Sequence, residues 1–108
     1  MALYKTGELA RFSERGPVPR PLIVGEDMAV MLLCLQKHQE IKAPENDAAE
    51  TVFTVVSGSG TVRENDETHE VGPGDVVYLP PGTRKALQAG EGTFTVIGVR
   101  QLGAKHVA

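Results

Sequence analysis

Residues 74–85, GDVVYLPPGTRK, constrain this chain more than any other stretch, because turn-forming residues stand at fixed places around a short apolar run. The Gly-Asp step and the Pro-Pro-Gly step are typical of turns, and the four apolar residues between them have the length and composition of a strand. Upstream, residues 50–58, ETVFTVVSG, predict a strand that runs into a tight turn at a glycine. Strands bounded in this way favour an all-β domain.

The rest of the sequence continues this pattern, since 12 glycines and seven prolines separate short apolar runs. Asn65 and Asp66 predict a two-residue hairpin turn. Residues 16–21 contain three prolines and cannot form a central strand, because proline lacks the N–H that the ladder needs. The sequence shows no long apolar pattern with a period of 3.6 residues, so no sizeable helix is predicted. Residues 45–50 could form at most a single helical turn. The predicted strands are 22–24, 29–35, 51–56, 60–64, 67–71, 76–79, 85–88 and 93–100, with an edge strand at 9–12.

Composition narrows the class of protein. A chain of 108 residues is one domain, and 11 Lys and Arg within a net charge of −3 form no basic stripe, which argues against nucleic-acid binding. No apolar run approaches the roughly 20 residues that span a bilayer, and the first residues show no targeting pattern, so we expect a cytoplasmic protein. The single cysteine, Cys34, stands in an apolar strand and is interpreted as a small buried side chain.

Residues 33–99 resemble the cupins, small β-barrels that usually hold a metal. The second motif of that family fits Gly74, Pro80 and Gly82, and its first motif ends on Gly58. The resemblance implies a double-stranded jelly-roll β-barrel of the all-β class. We expect residues 1–21 to form an N-terminal arm, residues 22–100 the barrel, and residues 101–108 a tail.

The resemblance also assigns positions to metal ligands, and this chain carries Pro44, Asn46, Thr51 and Lys85 there. An amide, a hydroxyl and an ammonium group do not bind transition metals as three imidazoles and a carboxylate would. We therefore expect a pocket without a metal and without a cofactor. A shift of one residue would bring Glu50 to the carboxylate position, but would turn its side chain to the other face of the strand.

Lys85 is the first candidate for ligand binding. Burying an ammonium group is costly, so we expect it to lose its proton or to pair with an anion, which would be a ligand or an internal acid. Its stem could instead carry the charge to water at the barrel mouth, and a Schiff-base role is a further alternative. Asn46 and Thr51 would offer neutral hydrogen bonds, Phe53 shares the face of Thr51, and Tyr78 would offer a hydroxyl.

Three functions remain open on the sequence, and the sequence does not decide whether the chain is an enzyme. The first is a metal-independent barrel that binds a small polar or anionic molecule. The second is a metal-dependent enzyme of the dioxygenase or isomerase type, which needs ligands to converge from His38, Glu40, Glu45, Glu50 or His69. The third is a structural barrel plugged by its own side chains, such as Leu87 and Phe94.

Two further expectations concern surfaces. His38, His69 and His106 stand on different segments and are interpreted as solvated surface side chains. Residues 29–35 are apolar on both faces of a strand, which favours a homodimer that covers the second face.

Overall fold

A computed structural model describes residues 1–44 and 47–101 of the chain. Seven strands and one short helix account for most of these residues. The elements are α1 (Thr6–Leu9), β1 (Val18–Val24), β2 (Met28–Gln36), β3 (Glu40–Lys42), β4 (Thr51–Glu64), β5 (Glu67–Val71), β6 (Val76–Leu79) and β7 (Lys85–Gln101).

The strands form two antiparallel sheets that share β4 and β7. In one sheet the order is β1-β2-β7-β4-β6, with the second half of β7 beside the first half of β4. In the other the order is β3-β7-β4-β5, with the first half of β7 beside the second half of β4. Two antiparallel sheets joined by shared, bent strands make a double-stranded jelly-roll β-barrel, and the predicted fold class is confirmed.

The two long strands replace four shorter ones expected from the sequence. Register shifts between Val55 and Ser57, and between Gly58 and Gly60, let β4 bend from one sheet into the other. Gly58 has a φ of 76°, and a Cβ at this position would lie 1.9 Å from the carbonyl oxygen of Thr93. The glycine that was predicted to end a strand therefore marks the bend of a continuous one.

The N-terminal arm differs from the prediction at residues 9–12, which form no strand. Helix α1 ends at Leu9, and the carbonyl oxygen of Leu9 accepts a hydrogen bond from Arg20 Nη1 at 2.7 Å. A side chain thus satisfies a backbone group that a neighbouring strand would otherwise have bonded.

Two strands differ in their bounds. The first barrel strand begins at Val18 rather than at residue 22 and includes Pro19 and Pro21. It is an edge strand, where a missing N–H disrupts no ladder on the outer side. Strand β3 has no sequence signal, because it contains only three residues and two of them are charged.

The predicted hairpin turn is confirmed. The hairpin between β4 and β5 turns through Asn65 and Asp66, and Asn65 has a φ of 54°. His38 has a φ of 63° at the exposed turn between β2 and β3, where a histidine tolerates the left-handed region better than a bulky residue does.

The apolar core fills the barrel where the two sheets meet. The fully buried Phe94 and Leu35 are paired across β7 and β2. Cys34, the next residue along β2, is also fully buried, as the sequence indicated. The other core residues are Leu33, Phe53, Val55, Val62, Val71, Leu79, Leu87, Ala89 and Val96.

Burial on both faces of β2 is achieved within one chain. Leu32 and Leu35 lie on opposite faces of the strand, and both are fully buried. The two apolar faces therefore do not by themselves require a partner, and the homodimer stays a prediction. No helix among the described residues has the length and apolar character needed to cross a membrane.

Candidate functional site

A cavity of about 630 Å³ lies between the two sheets, a size within the range of small-molecule sites. Its walls come mainly from β2, β3, β4 and β7 and are largely apolar. Three cationic and two anionic side chains interrupt this apolar lining, and they are Lys42, Lys85, Arg100, Glu40 and Asp47.

The register of the strands places the cavity walls in rows. Thr51 of β4 pairs with Arg100 of β7, so their side chains lie next to each other on the inner face. In the next row Phe53 pairs with Gly98. A Cβ at Gly98 would lie 3.2 Å from the ring of Phe53, so the glycine makes room for the aromatic wall.

Lys85 is buried and its ammonium group is held by oxygen atoms. The side chain is 3% exposed, and Nζ lies 3.3 Å from Oδ2 of Asp47, whose side chain is 6% exposed. Nζ also donates to the carbonyl oxygens of Ala49 and Thr83, each at 3.4 Å. The anionic partner expected for Lys85 is therefore present within the chain, and the ammonium group does not reach solvent at the barrel mouth.

Asp47 connects the two ends of β7. Its second carboxylate oxygen accepts a hydrogen bond from Arg100 Nη2 at 2.6 Å, and the same oxygen accepts the backbone N–H of Ala49. Its own carbonyl oxygen accepts the N–H of Gly82. These contacts fix the carboxylate between a lysine at the start of the strand and an arginine at its end.

The pKa of Asp47 lies below its ordinary value as a balance of opposing effects. Burial acts to raise the pKa, but the hydrogen bond from the Ala49 amide and the charges of Arg100 and Lys85 lower it further than burial raises it. The carboxylate is accordingly ionised near neutral pH.

Two buried polar atoms in the cavity wall have no hydrogen-bond partner among residues 1–44 and 47–101. They are the hydroxyl oxygen of Thr51 and the Nε of Arg100. The two residues are cross-strand partners, so the unmet hydroxyl and the unmet N–H donor belong to neighbouring residues of the cavity wall. A buried polar group without a partner is costly, so this pair of atoms marks the position at which a polar ligand group would be stabilised.

The structure brings together three of the residues predicted for the ligand site. Lys85, Thr51 and Phe53 all line the cavity. Asn46 lies outside the described residues. Tyr78 does not line the cavity: it is 52% exposed on the outer face.

Tyr78 points outward because its neighbour in sequence, Leu79, points inward and is fully buried. Its hydroxyl donates to a carboxylate oxygen of Glu50. The Glu50 bond, which stabilises the protonated phenol, raises the pKa of Tyr78. The register that places Thr51 rather than Glu50 toward the cavity is therefore the one that the structure adopts.

Sequence reasoning missed Asp47 and Arg100. A signal for Arg100 was available, because Phe94, Val96, Gly98 and Arg100 stand at alternate positions of one strand and therefore share a face. No such signal existed for Asp47, which lies in an irregular segment before β4 and has no periodicity that would indicate a direction.

The cavity does not fit the transition metal that the resemblance associates with this barrel. Neither histidine nor cysteine lines it among the described residues, and each of its two carboxylates already contacts two cations. Asp47 contacts Lys85 and Arg100, and Glu40 contacts Lys42 and Arg63 at 3.8 and 3.5 Å. Ammonium and guanidinium groups repel a metal cation, so this donor set is suited to anions.

A second group of possible ligands lies outside the cavity. The side chains of Glu64, Glu67 and His69 come within 4.8 Å of one another on the β4–β5 hairpin. His69 is half exposed and lies 3.8 Å from Glu64, an arrangement common on solvated hairpins. His38 is also exposed, which agrees with the surface interpretation, and His106 lies outside the described residues.

Comparison with known proteins establishes the family. The family model for the cupin domain matches residues 31–97, which is more than half of the chain. This chain belongs to the cupin family. The cupin has the fold of solved structures along most of its length. TT1209 from Thermus thermophilus superposes with a TM-score of 0.87 at 20% identity, over 94% of this chain and 97% of that one. KdgF from Halomonas sp. superposes with a TM-score of 0.74 at 19% identity, over 88% and 86% of the two chains.

Similar curated proteins are named 4-deoxy-L-threo-5-hexosulose-uronate ketol-isomerase. The protein from Agrobacterium fabrum strain C58 is 36% identical over 80 residues, which are 70% of this cupin and 29% of that protein. The protein from Cereibacter sphaeroides ATCC 17025 is 41% identical over 51 residues, which are 47% and 19% of the two chains. The cupin thus spans less than a third of the curated relatives that it matches.

Proposed function

We propose that this cupin binds a small carboxylate-bearing molecule of the sugar-acid type in the inner cavity, without a metal. The observation that carries the proposal is the adjacent pair of unmet polar atoms, the Thr51 hydroxyl and Arg100 Nε, in an otherwise apolar wall. An N–H of a guanidinium group and a hydroxyl donate well to a carboxylate, and charge-assisted bonds of this kind are the strong ones.

The charges around the cavity support an anionic ligand. Asp47 carries one negative charge between two cations, so the three groups together keep one positive charge that a ligand carboxylate can match. Arg100 lines the cavity and its side chain is 41% exposed, whereas the side chain of Lys85 is 3% exposed. In this proposal Arg100 is the direct anchor, and Lys85 acts by holding Asp47 in place.

The names of the curated relatives agree with this ligand class. The substrate in their name is a uronate, which carries a carboxylate group, and the similarity to the Agrobacterium protein extends over 70% of this chain. The relatives are more than three times as long as the segment that matches, so their full substrate is not carried over to this cupin. The proposal is limited to the carboxylate group.

Ketol-isomerase activity is the second candidate, and the same relatives favour it. Such a reaction moves a proton between neighbouring carbon atoms and needs a base. The lowered pKa of Asp47 makes this carboxylate a weak base, and its position between Lys85 and Arg100 leaves it engaged. Three oxygen atoms surround the ammonium group of Lys85, which has no lone pair for a Schiff base while protonated. Binding is therefore the better supported function.

The binding test uses two matched pairs of probes, D-galacturonate with D-galactose and D-glucuronate with D-glucose, in calorimetry and amide NMR. We expect saturable binding of an acid, with shifts at Thr51 and Arg100, and binding weaker by about ten-fold or more for the neutral sugar, since a charge-assisted bond is lost. Equal affinity for acid and sugar, or no saturable binding of either acid, would overturn the proposal.

Variants locate the ligand. Thr51→Val keeps the shape of the side chain and removes the hydroxyl, so it should weaken acid binding by about ten-fold while the fold is retained. Tyr78→Phe removes a hydroxyl from the outer face and serves as the matched control, with unchanged affinity. Unchanged affinity in Thr51→Val would remove the cross-strand pair from the site.

The metal-dependent alternative has its own test. Protein purified without a histidine tag is analysed for each first-row transition metal per subunit, and binding is repeated after dialysis against a chelator. We expect acid binding to survive the chelator. A near-stoichiometric metal whose removal abolishes binding would replace the metal-free proposal with the enzyme of the isomerase or dioxygenase type.

A further inference from the structure

A second cavity, of about 270 Å³, shares Lys42, Ala43 and Lys85 with the first. This size is just below the range of sites for drug-sized ligands and suits an ion or a single ligand group. No carboxylate lines it among the described residues, and its six lining residues are Lys42, Ala43, Arg63, Asn65, Arg84 and Lys85. We call this cavity the outer pocket.

The fold brings the cations of the outer pocket together from separate strands. Lys42 of β3 and Arg63 of β4 both pair with Ala86, the residue between them on β7. Neighbouring strands are about 4.8 Å apart, so the backbones of Lys42 and Arg63 are separated by about 10 Å, with only a methyl group between them. The long side chains of these two residues therefore flank a gap.

Arg84 reaches the same pocket from the start of β7, and the backbone holds it in position. The N–H of Asn65 donates to the carbonyl oxygen of Arg84 at 2.8 Å, and the N–H of Arg84 donates to Oδ1 of Asn65 at 3.1 Å. These two hydrogen bonds hold the β4–β5 hairpin turn against the loop before β7. It also places a third cation beside the first two.

The carboxylates near the outer pocket do not neutralise it. Glu40 is shared between Lys42 at 3.8 Å and Arg63 at 3.5 Å. Asp66 contacts Arg84 at 3.0 Å but is 91% exposed, where an ion pair contributes little. Among residues 1–44 and 47–101, these three cations therefore share two carboxylates in loose or solvated contacts, which leaves one positive charge.

We propose that the outer pocket binds a tetrahedral oxyanion of the phosphate class, at a site that adjoins the inner cavity along Lys42, Ala43 and Lys85. Two guanidinium groups and an ammonium group that converge from three segments can each donate to a different oxygen, a demand that a phosphate group meets and that a planar carboxylate meets less well. Lys42, Arg63 and Arg84 are 64, 43 and 53% exposed, so an incoming anion can reach their charged ends.

The first test titrates inorganic phosphate into the protein and follows the amide signals of Arg63, Asn65 and Arg84. Sodium chloride at equal ionic strength is the control for screening. We expect saturable shifts with phosphate and small, unsaturated shifts with chloride. Equal responses to the two salts would overturn the proposal.

Charge-matched variants sharpen the test. Arg63→Gln and Arg84→Gln should each raise the phosphate Kd by about ten-fold or more, because hydrogen bonds to charged groups are among the stronger ones. Arg11→Gln removes the same charge from the exposed N-terminal arm, where Arg11 contacts only backbone carbonyl oxygens among its described partners, and should leave the Kd unchanged. A similar loss in all three variants would indicate a general charge effect and contradict a built site.

Further arms identify the source of the phosphate group. Glycerol 3-phosphate tests a free phosphorylated molecule, and co-sedimentation with vesicles that contain phosphatidic acid tests a lipid headgroup. Saturable binding of either probe that Arg84→Gln weakens supports the site, and binding of neither overturns it. Failure here is distinguishable from failure of the sugar-acid proposal, because the latter is followed at Thr51 and Arg100 in the inner cavity.

Discussion

The two ends of the barrel are built by the same long strands but have different contents. Along the inner face of β7, Phe94 and Val96 are fully buried at one end, whereas Gly98 and Arg100 line the inner cavity at the other. The side chains at the first end fill the space between the sheets, as a plugged barrel would require. At the second end a glycine leaves room and an arginine brings charge.

This difference indicates how the barrel combines stability with a site. The filled end closes around Phe94, and it packs so closely on Gly60 that a Cβ there would lie 2.8 Å from the ring. The open end carries the buried ion pair and the two unmet polar atoms, which a close-packed core would not tolerate. One half of the barrel thus supplies the rigid frame on which the polar half is positioned.

The largest effect should come from the filled end. Phe94→Ala removes a fully buried ring and is expected to lower the free energy of unfolding by about 3–5 kcal/mol in urea denaturation. Val76→Ala, at a side chain that is 64% exposed, should change it by no more than about 0.5 kcal/mol. Similar losses of unfolding free energy in the two variants would mean that the filled end does not supply the rigid frame of the barrel.

Asp47→Asn should have the next largest effect, because it keeps the shape of the side chain but leaves the enclosed Lys85 without its counter-charge. We expect a loss of about 3 kcal/mol, with most of it from Lys85, since Arg100 is partly solvated. The control is Asp66→Asn, which breaks an exposed contact with Arg84 and should cost about 0–1 kcal/mol. Equal losses would contradict the burial of the inner pair.

The lowered pKa of Asp47 predicts a pH dependence at the open end. A carboxyl group whose pKa is lower in the folded than in the unfolded protein stabilises the fold above its unfolded value, here 3.8. This contribution is lost as the pH falls from about 4 through the folded-state pKa. Urea denaturation between neutral and acidic pH should show a smaller acid loss in Asp47→Asn than in the wild type, and parallel curves would contradict the assignment.

Lys85→Met should have a smaller effect than Asp47→Asn. Arg100 remains bonded to Asp47 after the change, so the carboxylate keeps one partner, and we expect a loss of about 1 kcal/mol. The double variant with Asp47→Asn and Lys85→Met should lose less stability than the sum of the two single losses. We expect the difference, which is the coupling free energy of the two residues, to be about 1–3 kcal/mol. Additive losses would show that the two groups do not interact.

The smallest effect concerns the outer face. In a Tyr4→Phe background, spectrophotometric titration should place the pKa of Tyr78 above its ordinary value, because Glu50 accepts the hydrogen bond of the protonated phenol. Glu50→Gln should move the titration back toward that value. No difference between the two proteins would show that the contact is absent in solution.

Much of the barrel could be predicted from the sequence, and the reason is local. The glycine and proline positions around β6 and the Asn65–Asp66 turn follow from backbone chemistry alone, and both β5 and β6 have the predicted bounds. The merging of four strands into β4 and β7 could not be predicted in this way. Whether a glycine such as Gly58 ends a strand or bends it depends on the neighbouring strand at Thr93.

The candidate site was predictable only in part. The resemblance to the cupins placed Thr51 and Lys85, and period-two alternation placed Phe53 on the same face as Thr51. The sequence could not show on which face of its strand Tyr78 lies, because all four residues of that strand are apolar or aromatic. Asp47 is far from Lys85 along the chain and is separated from Arg100 by 53 positions, so no local pattern indicates that the three meet.

By itself the sequence determined an all-β domain, and its resemblance to the cupins implied the jelly roll and the residues at the metal positions. The all-β class follows from turn residues and side-chain alternation, which act over a few positions of the chain. Only the tertiary structure decided which charges meet. The bent strands bring the two ends of β7 to one irregular segment, so that Asp47 contacts both Lys85 and Arg100, and the burial of Asp47 and Lys85 gives these contacts their energetic weight.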